Sequence, residues 1–310
     1  MAPRPAVQAI GERHRNWRRI QDRLAAGWMR LAVASVNSIA LLVGLGLLFK
    51  SWPILAQNSL VHLLVSSDWH PMKGSFGFYA FIIGTLEVTA IAMLLAVPVC
   101  ILSAIYLSEY APSHIRELVG PVIDLLAGIP SVVYGLWGVI VVVPAVRALG
   151  KALGVATTGY SLLSGGIILA IMVFPIIISV SAEVLHAVPW EARETALALG
   201  ATRWETVKHV VLRSGLRGIL AAIVLGFARA SGETMAVLMV VGNVAKVPSS
   251  LFAPAYPLPA LIANNYGEMM SIPLYDSALL LAALVLLLVI AALNLAARLT
   301  LRQIERGYEQ

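Results

Sequence analysis

Residues 188–218 read VPWEARETALALGATRWETVKHVVLRSGLRG, a polar, helix-forming stretch set between two long apolar runs. Pro189 suits a first helical position, where its missing N–H is no loss. Glu191 and Glu194 then fall in the first turn, where negative charge is favoured by the helix dipole. Gly200 closes this helix as the residue just past its end. Thr202, with Glu205 three residues on, has the spacing of a capping box for a second helix. Leu197, Leu199, Val207, Val210 and Val211 supply the apolar faces. The stretch is therefore expected to form two short amphipathic helices around a turn, a docking surface for another protein.

The sequence on either side is that of a membrane protein. Of 310 residues, 59% are hydrophobic and 12% charged, and the mean hydropathy is +0.86. Soluble domains average about 45–50% apolar and about 25% charged residues, so a disordered chain, a water-soluble globule and an ordinary nucleic-acid binder are all excluded. A spanning helix needs about 20 mostly apolar residues. Six segments meet this need, at about 31–52, 78–108, 119–145, 160–184, 216–243 and 275–298. The first is too long, and too far from the start, for the short apolar core of a signal peptide. Residues 1–30 form a polar, basic extension, whose run RHRNWRRIQDR reads as an amphipathic or solvated helix. Residues 31–310 form one transmembrane domain with a loop at 186–215.

Placing both termini in the cytoplasm puts sixteen of the 22 Lys and Arg residues on the inner side and five on the outer, with Arg229 inside a span. That asymmetry sets the orientation and accounts for the formal charge of +6. One cysteine, Cys100, and six scattered histidines exclude a disulfide scaffold and a zinc site. No phosphate loop of the form G-x-x-x-x-G-K-[ST] is present, nor any dinucleotide, hydrolase or zinc-protease motif. The chain is expected to be no enzyme, so any driving energy comes from a partner or an ion gradient.

Charges within spans are costly and call for a reason. Arg229 and Glu233 are four residues apart in the fifth span, on one helical face if the helix continues, and are able to pair. A guanidinium fork matches a phosphate-type oxyanion. Gly232 permits close approach, and Thr234 adds a hydroxyl. In the third span, LLAGIPSVVYGLWG (125–138) breaks the helix at Gly128 and Pro130. Ser131 and Tyr134 then lie near a half-helix N-terminus, a setting that stabilises anions in transporters. Asp124 begins that span and fits a solvated helix end as well as a functional role. Glu87, early in the second span, either faces the cavity or reaches the outer surface.

Glu194-Thr195-Ala196, three residues, then Gly200, resembles the EAA motif of ABC importer permeases. Thr195 stands where Ala is usual, and Arg213 where the family pattern ends in Pro. Four further stretches resemble the C-type permease subunit of phosphate-specific ABC importers: YLSEYAP (106–112), DLLAGIPSVVYGLWG (124–138), RASGETMAVLMVVGN (229–243) and SLFAPAYPLPALIANNYGE (250–268). The resemblance covers about residues 31–308. It implies an all-α membrane protein with the type I ABC importer permease (MetI-like) fold, six spans and cytoplasmic coupling helices. It implies Glu194, Thr195, Ala196 and Gly200 at the ATPase contact. Arg229 and Glu233 would lie on the phosphate pathway, with Thr234, Ser131 and Tyr134 beside them. The implied partners are an A-type permease subunit, two copies of a cytoplasmic ATPase and an extracytoplasmic phosphate-binding protein, with no nucleic acid. ATP and magnesium would be used by the ATPase and none by this chain. The implied location is the inner membrane. Alternatives are a permease for phosphonate, sulfate or molybdate, a gradient-driven anion transporter, and a non-transporting sensor.

Overall fold

A computed structural model describes residues 5–268 and 272–308, and the side chains of 21–268 and 272–299. The chain divides into two units, residues 1–50 and 51–310. The described part of the first is helix alone: α1 runs Pro5–Gln57, and its residues from 21 to 50 are exposed or half-buried. The basic extension is therefore not a separate helix, because nothing in the sequence breaks α1 before the apolar run begins. The side chains of residues 13–20, on which its expected amphipathic character partly rests, lie outside the described ones.

The second unit begins with the end of α1 and the short α2 (Leu60–Val65), followed by a 3-10 turn at Pro71–Lys73. Then come α3 (Tyr79–Ile105), α4 (Ser113–Gly128), α5 (Ser131–Trp137), α6 (Val143–Ala152) and α7 (Leu162–His186). They are followed by α8 (Trp190–Ala198), α9 (Arg203–Thr206), α10 (Leu212–Ser231), α11 (Met235–Val240), α12 (Leu258–Asn265) and α13 (Tyr275–Tyr308). Wide π turns at Tyr106–Tyr110, Gly138–Val142 and Val207–Val211 extend α3, join α5 to α6 and join α9 to α10. Among the described residues β pairing is limited to two isolated bridges, His70–Ser75 and Gly242–Ala255.

Six helical segments of the described chain are long and apolar enough to cross a membrane: Gln21–Gln57, Tyr79–Tyr110, Ser131–Ala152, Leu162–His186, Arg203–Ser231 and Tyr275–Leu299. The first starts about ten residues earlier than the sequence expectation, and the third and fifth differ more. The third begins at Ser131, not near 119, because Ile129 and Pro130 leave the helical region and cut off α4 as a separate amphipathic helix. Asp124 sits exposed on α4 and does not open a span. The fifth begins at Arg203 and stops at Ser231, well short of 243, so the second arm of the polar loop is the first part of that span.

α3 and α7 form the main packing axis, with α10 against α7. Small residues let these backbones close up, the usual device where lipid offers no hydrophobic drive between helices. A Cβ on Gly166 would lie 2.4 Å from Ile91 Cγ2, and one on Gly226 would lie 2.6 Å from Ile177. Cys100 is fully buried in this layer, its sulfur 4.0 Å from the Phe174 carbonyl. An aromatic cluster of Trp69, Phe76, Phe78, Phe81, Tyr256 and Tyr275 closes one end.

Candidate functional site

Two regions hold the candidate residues, one within the spans and one at the polar loop. Within the spans, Pro130 caps α5, so Ser131 is its first residue. Tyr134 is buried, and its hydroxyl donates to the Leu126 carbonyl at 2.8 Å. The phenol thus bridges the α4–α5 break, sharing a carbonyl that also accepts from the Ile129 N–H at 3.3 Å. Its proton is committed to that brace and is not free for a ligand. α5 packs against α11, and Gly135 makes this possible: a Cβ there would meet Met239 Sδ at 2.6 Å and Ala236 Cα at 3.1 Å.

Arg229 lies in the last turn of α10, exposed, with no hydrogen bond or ion pair among the described residues. Its charge is near enough to act on the Tyr134 hydroxyl. The expected pairing with Glu233 is not formed. The helix ends at Ser231, Gly232 caps it, and the chain turns through Thr234 before α11 starts. Four residues therefore no longer bring the two side chains onto one face. Glu233 instead donates its N–H to the Ala230 carbonyl at 3.2 Å. Its carboxylate accepts from the Ala236 N–H at 3.5 Å, at the N-terminus of α11. Thr234 donates to the Gly232 carbonyl at 3.4 Å. The packing of α5 on α11 thus brings the α4–α5 break, with Ser131 and Tyr134, toward the α10–α11 break, with Arg229, Glu233 and Thr234. Glu87 stands apart on α3, with Oε2 buried and without a hydrogen-bond partner among the described residues.

The polar loop forms much as its residues dictate. Pro189 is the N-cap of α8, one position earlier than expected, and Trp190 opens the helix. Glu191 is in the first turn, while Glu194 is one turn on and accepts from Trp190 Nε1 at 2.8 Å. Gly200 has φ +90°, and its N–H reaches the Leu197 carbonyl at 3.0 Å. Thr202 and Glu205 form the full capping box. Val207 and Val211 are buried, whereas Trp190, Leu197, Leu199 and Trp204 are exposed, Leu199 by 84%. Thr195 is exposed and Ala196 half-buried. The loop therefore presents aromatic and aliphatic side chains outward around a fixed turn.

One residue of this loop was not singled out from the sequence. Arg193 is buried and forks onto Glu109 at the end of the second span, with Nη2 to Oε1 at 2.7 Å and Nε to Oε2 at 3.2 Å. Its remaining N–H groups go to backbone carbonyls: Leu185 at 2.8 Å, Val188, and Pro189 at 3.4 Å. All five donors of the guanidinium are used. Arg203 donates to the Glu109 carbonyl, and its guanidinium lies 4.7 Å from the centre of the Tyr110 ring. No spacing pattern joins positions 84 residues apart, so only the fold shows this pair.

Comparison with known proteins follows the same lines. Residues 96–310 match the family described as "Binding-protein-dependent transport system inner membrane component". The phosphate transport system permease protein PstC of Xylella fastidiosa (strain 9a5c) is 40% identical over 261 residues, 79% of this chain and 80% of that one. PstC of Mesorhizobium japonicum is 36% identical, covering 85% of this chain and 84% of that one. A probable ABC transporter permease of Bacillus subtilis, YqgH, is 40% identical over 74% of each. Among solved structures, a bacterial ABC transporter involved in alginate import aligns with TM-score 0.61 at 16% identity, over 92% of this chain and 99% of that one. The inward-facing MetNI methionine transporter aligns with TM-score 0.56 at 17% identity, over 73% of this chain and 97% of that one. An all-helical chain with six membrane helices, a helix–turn–helix loop and this similarity belongs to the inner-membrane components of binding-protein-dependent transport systems and, among them, to the PstC-type ABC permeases.

Proposed function

We propose that this chain is the permease subunit of an ATP-driven importer that carries inorganic phosphate into the cytoplasm. The observation that carries the reading is Arg229: an exposed, unpaired guanidinium in a membrane helix, beside two helix breaks, in a chain whose relatives are named for phosphate transport. An unpaired charge within a span is costly, and a phosphate oxyanion arriving there supplies the missing partner. Glu233 and Thr234, at the α10–α11 break, and Ser131, at the start of α5, add polar groups around the path. Tyr134 holds its shape.

The remaining assembly follows from what this chain lacks and exposes. Arg229 faces away from its own fold, so a second permease subunit of the A type completes the path. The exposed Trp190, Leu197, Leu199 and Trp204 around Gly200 dock into one of two cytoplasmic ATPase subunits, and Glu194 and Thr195 lie in the same helix. ATP and magnesium act there. An external binding protein delivers phosphate on the opposite face. Both termini and the polar loop then lie in the cytoplasm, as the Lys and Arg distribution requires.

The test is co-reconstitution of the chain with its permease partner, ATPase and binding protein in proteoliposomes, and measurement of ATP-driven uptake of labelled phosphate. Wild type is expected to import phosphate. Arg229→Ala is expected to assemble and hydrolyse ATP but to lose uptake. No phosphate uptake by an assembled wild-type complex would redirect the assignment to another oxyanion, and uptake without the ATPase would overturn the ABC mechanism.

A further inference from the structure

We propose that the Glu109–Arg193 pair is a coupling strut, the link through which motion of α8 is passed to the second span. The inference rests on the reading of α8 as the ATPase-contacting helix. α8 is joined to the fourth span through residues 187–189, and the loop continues directly into the fifth span. The second span has no covalent link to the loop. One turn before Glu109, an apolar cluster holds it: Ala104 and Ile105 pack with Leu185, Val188, Val207 and Val211. Beyond Ile105 the Tyr106–Tyr110 turn keeps contact with α7, and a cleft of about 690 Å³ opens between Glu109, Ala111, Trp190, Arg193 and Arg203.

Across that cleft the connection is polar and saturated. Arg193 grips the Glu109 carboxylate with two N–H groups while its others hold carbonyls at the end of α7 and at the start of α8. Arg203 takes the Glu109 carbonyl from the other arm of the loop. The π turn at Tyr106–Tyr110, closed by the Ala111 N–H on the Tyr106 carbonyl at 2.8 Å, ends the span at this point. One guanidinium therefore ties three elements into a body that moves together. Without the carboxylate, α8 still drives the fourth and fifth spans, but the end of the second span is released.

The assay is the assembled complex in proteoliposomes, reading ATP hydrolysed per phosphate imported. Glu109→Gln keeps the shape and removes the charge. It is expected to retain ATPase binding and hydrolysis while the ATP-to-phosphate ratio rises about fivefold to tenfold, the scale of coupling between linked sites. A group that merely supports folding would lower hydrolysis and uptake together. Spin labels at cysteines replacing Leu102 and Glu191 give a second readout. Their separation is expected to stay constant between nucleotide-free and ATP-bound wild type, and to change with nucleotide in Glu109→Gln. Should Glu109→Gln fail to assemble, Arg193→Lys, which keeps the charge but not the fork, is read in both assays with the same expectations. An assembled variant with wild-type stoichiometry and a nucleotide-independent separation overturns the strut. A wild-type complex that fails to import phosphate overturns the cargo instead, and the spin-label separation still judges the strut.

Discussion

Tyr134 shows how one atom sets the value of a residue. Its hydroxyl donates to the Leu126 carbonyl across the α4–α5 break. Tyr134→Phe keeps the ring and removes the shorter of that carbonyl's two hydrogen bonds, leaving only the Ile129 N–H at 3.3 Å. The expected loss is about 0.5–1.5 kcal/mol, read as a lower melting temperature of the purified chain in detergent. Gly200 is a second case, because its φ of +90° is one that side chains rarely adopt. Nothing crowds it, so Gly200→Ala isolates the backbone cost, about 1–2 kcal/mol. The expected signs are faster amide exchange at 197–201 and weaker ATPase binding, with the spans unaffected. Both positions were legible as residues: a glycine past a helix end and a hydroxyl near the N-terminus of the half-helix that follows Pro130. What Tyr134 does with its hydroxyl was not, since a donor committed to a carbonyl eight residues away looks the same in sequence as a free one.

At the scale of elements, the capping box and the small-residue contacts carry the argument. Thr202→Ala removes the N-cap of the helix that leads into the fifth span. The expected cost is about 1 kcal/mol, seen as roughly fivefold faster exchange at 203–206. Gly135→Val places branched carbons where Met239 and the Ala236 backbone already lie. Separating α5 from α11 in this way is expected to cost about 1–3 kcal/mol and to reduce phosphate uptake even if the complex assembles. These elements also mark where reading from sequence stopped. The caps of α8 and α9 were readable because capping is local chemistry. The third span was begun too early, and the fifth was begun and ended too late, because hydropathy does not register a helix break: the one at Gly128–Pro130 was legible in the residues but left inside the span, and the one at Gly232–Thr234 was read through. The second break also undid the expected Arg229–Glu233 pair. The Glu109–Arg193 pair was beyond reach, since partners 84 residues apart share no periodicity.

For the whole molecule, the arrangement sets stability against function. An unpaired guanidinium exposed on a membrane helix burdens the chain when it is alone. Arg229→Leu is therefore expected to raise the amount of chain recovered from membranes when it is made without its partners, by removing the cost of an unpaired charge in a membrane helix. The same variant is expected to abolish phosphate uptake in the full complex. Co-expression with the partner permease should raise the wild type toward the level of the variant, because association removes the exposure. Equal recovery of wild type and Arg229→Leu when each is made alone would show that the charge is already satisfied within this chain. Six spans and an inner-membrane permease fold were visible in composition and in residues 188–218. The meeting of two helix breaks around Arg229 was not, because it depends on how α5 lies against α11.

Cys100, the sole cysteine in the chain, is fully buried between α3 and α7. Thiol reagents added from water meet no competing native sulfur. Fluorophores, paramagnetic tags or biotin can thus be attached at a single engineered cysteine without first removing the native one, and the packing of α3 on α7 need not be disturbed to follow this permease through its cycle.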